Sequence, residues 1–106
     1  MAALQINDKQ YQELILEEKP VLVDFWAPWC GYCRRINPAL DKLAQQREDV
    51  RVVKVNIDDY PRLAEEEKIE VIPTLVLYRD GFELGSIVAP ESKARIEDFL
   101  RESLEK

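Results

Sequence analysis

Histidine is absent from this sequence, and cysteine occurs only twice among its 106 residues. Without an imidazole the chain forms no Ser-His-Asp triad, no Cys-His nucleophile pair and no HExxH zinc site. Two thiols alone do not fill a four-coordinate structural zinc site within one chain. A secreted scaffold held together by disulfides usually carries four or more cysteines. Any chemistry therefore runs on thiols, carboxylates, amines or phenols.

The sequence has fewer basic than acidic residues, with 15 Lys and Arg against 21 Asp and Glu, and its net charge is −6. A surface that binds phosphates needs the opposite sign, so we expect no nucleic-acid partner. The N-terminal segment lacks the basic-then-apolar pattern of a secretory signal, and no apolar run approaches the ~20 residues of a membrane span. We therefore expect a monomeric cytoplasmic protein with no membrane partner. In a reducing compartment a close cysteine pair is more often catalytic or metal-binding than structural.

The whole chain, residues 1–106, is predicted to form one domain. Asn7 and Gln10 have the spacing of a capping box and predict the start of a first helix, which we expect Pro20 to end. Ser92 predicts the start of a last helix. Between them the apolar pattern alternates between strands and helices in the order β-α-β-α-β-α-β-β-α.

The strand patterns indicate how the sheet is built. Residues 21–26 and 52–57 are almost continuously apolar, which is typical of strands buried on both faces and joined by helical crossovers. Residues 79–82 carry an Asp-Gly hairpin signal, so the last two strands should pair antiparallel. The fold class is therefore α/β, with a mixed sheet covered by helices on both faces.

Cys30 and Cys33 lie three residues apart, directly after a buried strand and at the start of a helix. That spacing suits a disulfide, and the unpaired N–H groups of a helix N-terminus favour a thiolate and lower its pKa. We expect Cys30 to be the more exposed thiol and Cys33, one turn further, the more buried. A stable disulfide and half of a metal site are the other interpretations. The lack of further ligands and the position between strand and helix favour redox chemistry.

The run VDFWAPWCGYC, followed by Pro38 and by Ile72-Pro73-Thr74, resembles the thioredoxin family along the whole chain. The resemblance implies the thioredoxin fold, with a central five-stranded mixed β-sheet flanked by four α-helices. It also implies a redox disulfide between Cys30 and Cys33, which exchanges with disulfides of protein substrates. Cys30 is then the nucleophile and Cys33 the resolving thiol. No bound cofactor is implied, and electrons are expected from NADPH through a thioredoxin reductase.

Two charged residues interrupt the apolar strands. Asp24 is either a structural carboxylate with satisfied hydrogen bonds or a buried acid–base group, and the resemblance makes it the acceptor of the Cys33 proton. Burial should raise its pKa. Lys54 is either solvated or, as the resemblance implies, the neighbour of Asp24 on the adjacent strand, where its charge would lower that pKa.

Other residues are expected to support the site or bind substrate. A proline such as Pro73 is ordinarily trans, but the resemblance implies a cis bond beside the disulfide, with Ile72 offering backbone hydrogen bonds to an extended substrate. Trp29 is expected to be an exposed aromatic for partner contact rather than a core residue, and Trp26 a core residue under the site. Gly31 separates Cys30 from Tyr32 in the motif and is a supporting residue.

The chain departs from the family pattern at two positions. Tyr32 stands where proline is usual, and its N–H is expected to stabilise the Cys30 thiolate and make the couple less reducing. Ala89 stands where glycine is typical, in a loop expected near the site and in contact with substrate, which puts compatibility with a reductase in doubt.

Three other functions remain open at this point. One is a glutaredoxin-like role, which the tryptophan-bearing flanks and Asp24 oppose. Another is a disulfide oxidase or isomerase, which would differ from a reductase in its cellular compartment and in the redox potential of its cysteine pair. The last is a non-enzymatic adaptor or chaperone with this fold, which would keep its function without either cysteine.

Overall fold

The computed structural model describes residues 3–105, in which five strands and four helices alternate. The strands are β1 (Leu4–Gln5), β2 (Val21–Trp26), β3 (Arg51–Asn56), β4 (Thr74–Arg79) and β5 (Phe82–Val88). The helices are α1 (Asp8–Leu14), α2 (Gly31–Gln46), α3 (Pro61–Glu66) and α4 (Lys93–Leu104). Their order matches the order that the sequence predicts.

The five strands form one mixed sheet in the order β1-β3-β2-β4-β5. β3 pairs in parallel with β1 and β2, whereas β4 runs antiparallel to both β2 and β5. β2 is therefore the central strand, and its carboxyl end leads directly into the cysteine segment. The predicted mixed sheet is confirmed.

The sheet separates two apolar cores because successive side chains of a strand point to opposite faces. Helices α2 and α4 cover one face, where they pack on Leu22 of β2 and on Leu75 and Leu77 of β4. On the other face Tyr11 of α1 and Leu63 of α3 pack on the alternate residues of the same strands. Asp24 has the parity of Leu22 and so points to the α2/α4 face.

Local signals in the sequence form as predicted at the helix starts and in the hairpin. Asn7 and Gln10 make the reciprocal bonds of a capping box, and the Ser92 hydroxyl accepts the Arg95 N–H. In the turn between β4 and β5, Asp80 and Gly81 have φ values of 54° and 82°. Positive φ at both central residues is the geometry of the Asp-Gly hairpin turn.

The prediction that Pro20 ends the first helix is wrong, because α1 stops at Leu14. The carbonyl oxygens of Ile15 and Glu17, which a continuing helix would use, instead accept the N–H groups of Gly81 and Asp80 at 2.7 and 2.9 Å. The hairpin turn therefore takes the hydrogen bonds that would otherwise extend the helix. This long-range contact leaves no mark on the local sequence.

Candidate active site

Cys30 and Cys33 form a disulfide at the start of α2, and their Cα atoms are 5.2 Å apart. Cys30 is the N-cap residue, and its Sγ accepts the backbone N–H of Cys33 at 3.1 Å. Cys30 is 9% exposed whereas Cys33 is fully buried, so solvent and partners reach Cys30 first. The expected order of exposure is confirmed.

The N–H group that reaches Cys30 belongs to Cys33. Among the described residues the Tyr32 N–H makes no hydrogen bond to the disulfide-bonded Cys30, and its expected effect on a Cys30 thiolate and on the reducing power of the couple stays a prediction. The helix N-terminus favours a Cys30 thiolate, since the Cys33 N–H donates to the sulfur and the positive end of the helix dipole lies beside it.

Asp24 is completely buried in the centre of β2. Neither carboxylate oxygen has a hydrogen-bond partner among residues 3–105. Because burial penalises the charged carboxylate, the pKa of Asp24 rises from 3.8 to about 7, and the positive charge of Lys54 opposes that rise. Asp24 can therefore exchange a proton near neutral pH, as a general base requires.

Lys54 lies opposite Asp24 in the register of β3 against β2, as the resemblance implies. It is only 9% exposed, and its ammonium lies 4.9 Å from the centroid of the Trp26 ring. Trp26 is half-buried and donates its indole N–H to Gln5 Oε1 at 3.1 Å. The expectation that Trp26 is a core residue is wrong, because it is half-buried and packs in neither apolar core. Its ring instead contacts the Lys54 ammonium, whose charge acts on Asp24.

Two loops from distant parts of the chain converge on the disulfide. The Ile72–Pro73 peptide bond is cis, and the Ile72 carbonyl oxygen lies 3.9 Å from Cys30 Sγ. The Ala89 N–H donates to the Pro73 carbonyl at 2.8 Å, which ties the β5–α4 loop to the proline loop. The structure therefore brings Ile72, Pro73 and Ala89 together beside Cys30.

Trp29 is 67% exposed next to Cys30, so it lies on the surface and not in the core. Its indole N–H donates to Asp58 Oδ1 at 3.1 Å. Asp58 belongs to the segment before α3, and no pattern in the sequence predicts that it orients Trp29. A carboxylate 29 residues away carries no local signal for such a contact.

The two departures from the family pattern meet in space. The Tyr32 hydroxyl lies 2.9 Å from the Pro90 carbonyl oxygen and 3.3 Å from that of Ala89. Ala89 has a φ of 45°, a left-handed conformation that glycine adopts more readily. The site does not require glycine at position 31 for space, because a β-carbon there would meet only the Arg34 guanidinium at 3.9 Å.

Within the described part of the chain, no group of three or more His, Cys, Asp or Glu side chains is placed to hold a metal ion. Of the helices in that part, none has the length and apolar character needed to cross a bilayer.

Comparisons with known proteins point to a single family. The family model described as thioredoxin matches residues 2–102. The chain is 41% identical over 102 residues to a thioredoxin of Porphyra purpurea, covering 94% of this chain and 95% of that protein. It is 41% identical over 105 residues to thioredoxin 1 of a Nostoc species, covering 97% and 98% of the two chains.

Solved structures agree with these sequence matches. Oxidised mitochondrial thioredoxin 3 from Saccharomyces cerevisiae superposes with a TM-score of 0.83 at 33% identity, covering 94% of each chain. A thioredoxin of Malassezia sympodialis superposes with a TM-score of 0.86 at 26% identity, covering 96% of this chain and 90% of that one.

Proposed function

This chain belongs to the thioredoxin family and is a thiol–disulfide oxidoreductase with a Cys30–Cys33 redox pair, and we propose how its site residues divide the reaction. The observation that carries the proposal is the pairing of Cys30, which is 9% exposed, with a fully buried Cys33, on the sheet face to which the buried Asp24 carboxylate points with no partner among the described residues. The predicted five-stranded thioredoxin fold is confirmed by the solved relatives. Like its family, the protein needs no prosthetic group.

The first step is attack on the substrate. In the reduced protein the Cys30 thiolate attacks one sulfur of a substrate disulfide, so that a Cys30–substrate bond forms and the substrate S–S bond breaks. The released substrate sulfur leaves as a thiolate and takes a proton from solvent. The position of Cys30 at the N-cap of α2 supports this role, since helix N–H groups stabilise its thiolate.

The second step resolves the mixed disulfide. Asp24 accepts the Cys33 proton, and the Cys33 thiolate attacks Cys30 Sγ. The Cys30–Cys33 disulfide forms as the Cys30–substrate bond breaks, and the substrate sulfur leaves as a thiolate that takes a proton from solvent. The substrate is thereby reduced by two electrons, and the protein is left oxidised. Asp24 points to the sheet face that α2 covers, and its pKa of about 7 suits an acceptor at neutral pH. Burial raises that pKa, and the positive charge of Lys54 opposes the rise.

Substrate is bound by the surface around Cys30. Trp29 supplies an exposed ring, Ile72 supplies backbone groups beside the sulfur, and Pro73 and Ala89 form the adjoining wall. An extended segment of the substrate fits such a site, because backbone bonds hold it irrespective of its sequence.

We further propose that a thioredoxin reductase returns electrons from NADPH to the Cys30–Cys33 disulfide, and that the protein acts as a monomer in the cytoplasm. Family members in general are reduced by such a reductase and act on disulfide substrates. The left-handed backbone at Ala89 supports compatibility, because it preserves the loop conformation that glycine would adopt.

Insulin reduction tests the division of roles. With NADPH and a thioredoxin reductase, the wild type should reduce insulin, Cys30→Ser should not, and Cys33→Ser should accumulate a mixed disulfide visible by intact-mass spectrometry. Reduction of insulin by both variants, with no trapped adduct, would contradict the assignment. Activity with dithiothreitol but not with the reductase would reject the electron donor alone.

The same preparation separates the competing functions. A glutathione-linked activity would favour the glutaredoxin-like alternative, and a strongly oxidising equilibrium with glutathione would favour an oxidase or isomerase. Complementation by the double Cys30→Ser/Cys33→Ser variant would favour an adaptor or chaperone. We expect none of these results.

A further inference from the structure

Tyr32 joins two segments that lie far apart in the sequence. Its hydroxyl donates to the Pro90 carbonyl at 2.9 Å and lies 3.3 Å from the Ala89 carbonyl, 58 and 57 residues along the chain. The distance to Pro90 is in the usual O–H···O range, and the longer distance to Ala89 makes that contact the weaker of the two. The contact connects the first turn of α2, between the cysteines, with the loop from β5 to α4.

The Tyr32 ring is held in place for this contact. It is half-buried against the core between the sheet and helices α2 and α4. The Arg35 guanidinium lies 5.8 Å from its centroid, a cation–π distance on the solvent side. The hydroxyl therefore reaches the loop from a side chain that is already oriented by packing.

The loop at residues 89–90, which the Tyr32 hydroxyl contacts, has a backbone conformation that is unfavourable for alanine. Ala89 has a φ of 45°, where a β-carbon is unfavourable and glycine is not. Its N–H is fixed by the Pro73 carbonyl at 2.8 Å, and its carbonyl faces the Tyr32 hydroxyl. The strained residue is thus held from the proline loop on one side and from α2 on the other.

We propose that Tyr32 is a positioning residue for substrate recognition, which clamps the 89–90 loop against α2 and fixes the wall of the groove beside Cys30. The proposal rests on the substrate surface described above. Because a protein substrate contacts that wall and a small disulfide reaches only Cys30, the clamp favours protein disulfides over small ones. Tyr32 takes no part in the sulfur chemistry and acts through the loop.

The test uses prereduced full-length protein, without reductase, mixed with either insulin or the small aromatic disulfide DTNB. For Tyr32→Phe we expect the half-saturating insulin concentration to rise about three- to tenfold, as for the loss of one hydrogen bond, with a smaller effect on the limiting rate. The ratio of the insulin to the DTNB rate constant should fall by the same factor. Tyr60→Phe, which removes a hydroxyl at the start of α3, is the matched control and should leave the ratio unchanged.

A second variant tests the link to the loop. Ala89→Gly removes the unfavourable β-carbon, so it should return the insulin ratio of Tyr32→Phe toward the wild-type value. An unchanged half-saturating concentration in Tyr32→Phe, or no recovery in the double variant, overturns the clamp. Failure of the wild type to reduce insulin would instead reject the proposed function, so the two failures are distinct.

Discussion

The two faces of the sheet treat buried polar groups in opposite ways. On the α1/α3 face the Tyr11 hydroxyl donates to the Tyr78 hydroxyl at 2.8 Å, and Tyr78 donates to Glu67 Oε1 at 2.5 Å. On the α2/α4 face the Asp24 carboxylate is fully buried and finds no partner among the described residues. Among the described residues, the first face thus pairs both buried tyrosine hydroxyls, and the second leaves a titratable carboxylate without a hydrogen-bond partner.

This contrast distinguishes a hydrogen-bond network that is structural from a carboxylate that can exchange a proton. Burial raises the pKa of both Tyr11 and Tyr78 well above the usual range, so these phenols stay protonated as hydrogen-bond donors. Burial raises the pKa of Asp24 only to about 7, where a small change in pH changes its charge. An unpaired buried carboxylate costs stability, and the proposed proton transfer from Cys33 would account for its persistence on this face.

Replacing the unpaired group should have the largest effect on stability. A carboxyl whose pKa is 3.8 when unfolded and about 7 when folded is penalised as pH rises between those values, and the full penalty applies above pH 7. Asp24→Asn should therefore raise the free energy of unfolding at pH 8 by up to about 4 kcal/mol, from three pKa units. Below pH 4 the gain should vanish. Urea unfolding at pH 8 and pH 4 measures both values.

The exposed Asp59 provides the control for that comparison. Asp59→Asn should change the free energy of unfolding by less than about 0.5 kcal/mol at either pH. If Asp24→Asn also shows no dependence on pH, the carboxylate is not buried unpaired and the contrast between the two faces fails.

Breaking the Tyr11–Tyr78–Glu67 network should lower the free energy of unfolding rather than raise it. Tyr78→Phe leaves the Tyr11 hydroxyl and Glu67 without their shared partner, so the free energy of unfolding should fall by about 1–3 kcal/mol. The rate of thiol–disulfide exchange should keep its pH dependence, because the network lies on the face away from the cysteines. A shifted pH profile in Tyr78→Phe would show that the two faces are coupled.

The smallest effect is expected from Lys54, which opposes the rise in the pKa of Asp24. Lys54→Met keeps an unbranched side chain beside Trp26 and removes the charge. The midpoint of the pH profile for mixed-disulfide resolution should then move up by about half a unit to one unit. A midpoint that stays in place, or moves down, would show that Lys54 does not act on Asp24.

Much of the fold follows from local chemistry. Capping at Asn7 and Ser92, the Asp80-Gly81 turn and the apolar strands are each determined within a few residues, and each forms as predicted. The end of α1 is not predictable locally, because the carbonyls of Ile15 and Glu17, just beyond the helix, bond to the hairpin turn more than 60 residues away in the sequence.

The site residues likewise fall into those that a local motif predicts and those that only the folded structure reveals. The roles proposed for Cys30, Cys33 and Asp24 start from residue types in a motif. Asp58 beneath Trp29 and the Tyr32 hydroxyl on the 89–90 loop depend on which distant segments the fold brings together. Glu67 illustrates the same limit, since it lies among charged residues in the sequence, yet in the structure it accepts the hydroxyl of the buried Tyr78.

The central claim, that Asp24 accepts the Cys33 proton, is tested most directly by the pH dependence of resolution. Prereduced protein mixed with excess DTNB releases one thiolate on attack by Cys30 and a second on resolution by Cys33, and stopped-flow absorbance separates the two phases. In the wild type the second phase should accelerate with a midpoint near pH 7. In Asp24→Asn it should lose that midpoint and slow about a hundredfold at pH 8. An identical second phase in both proteins would contradict the account.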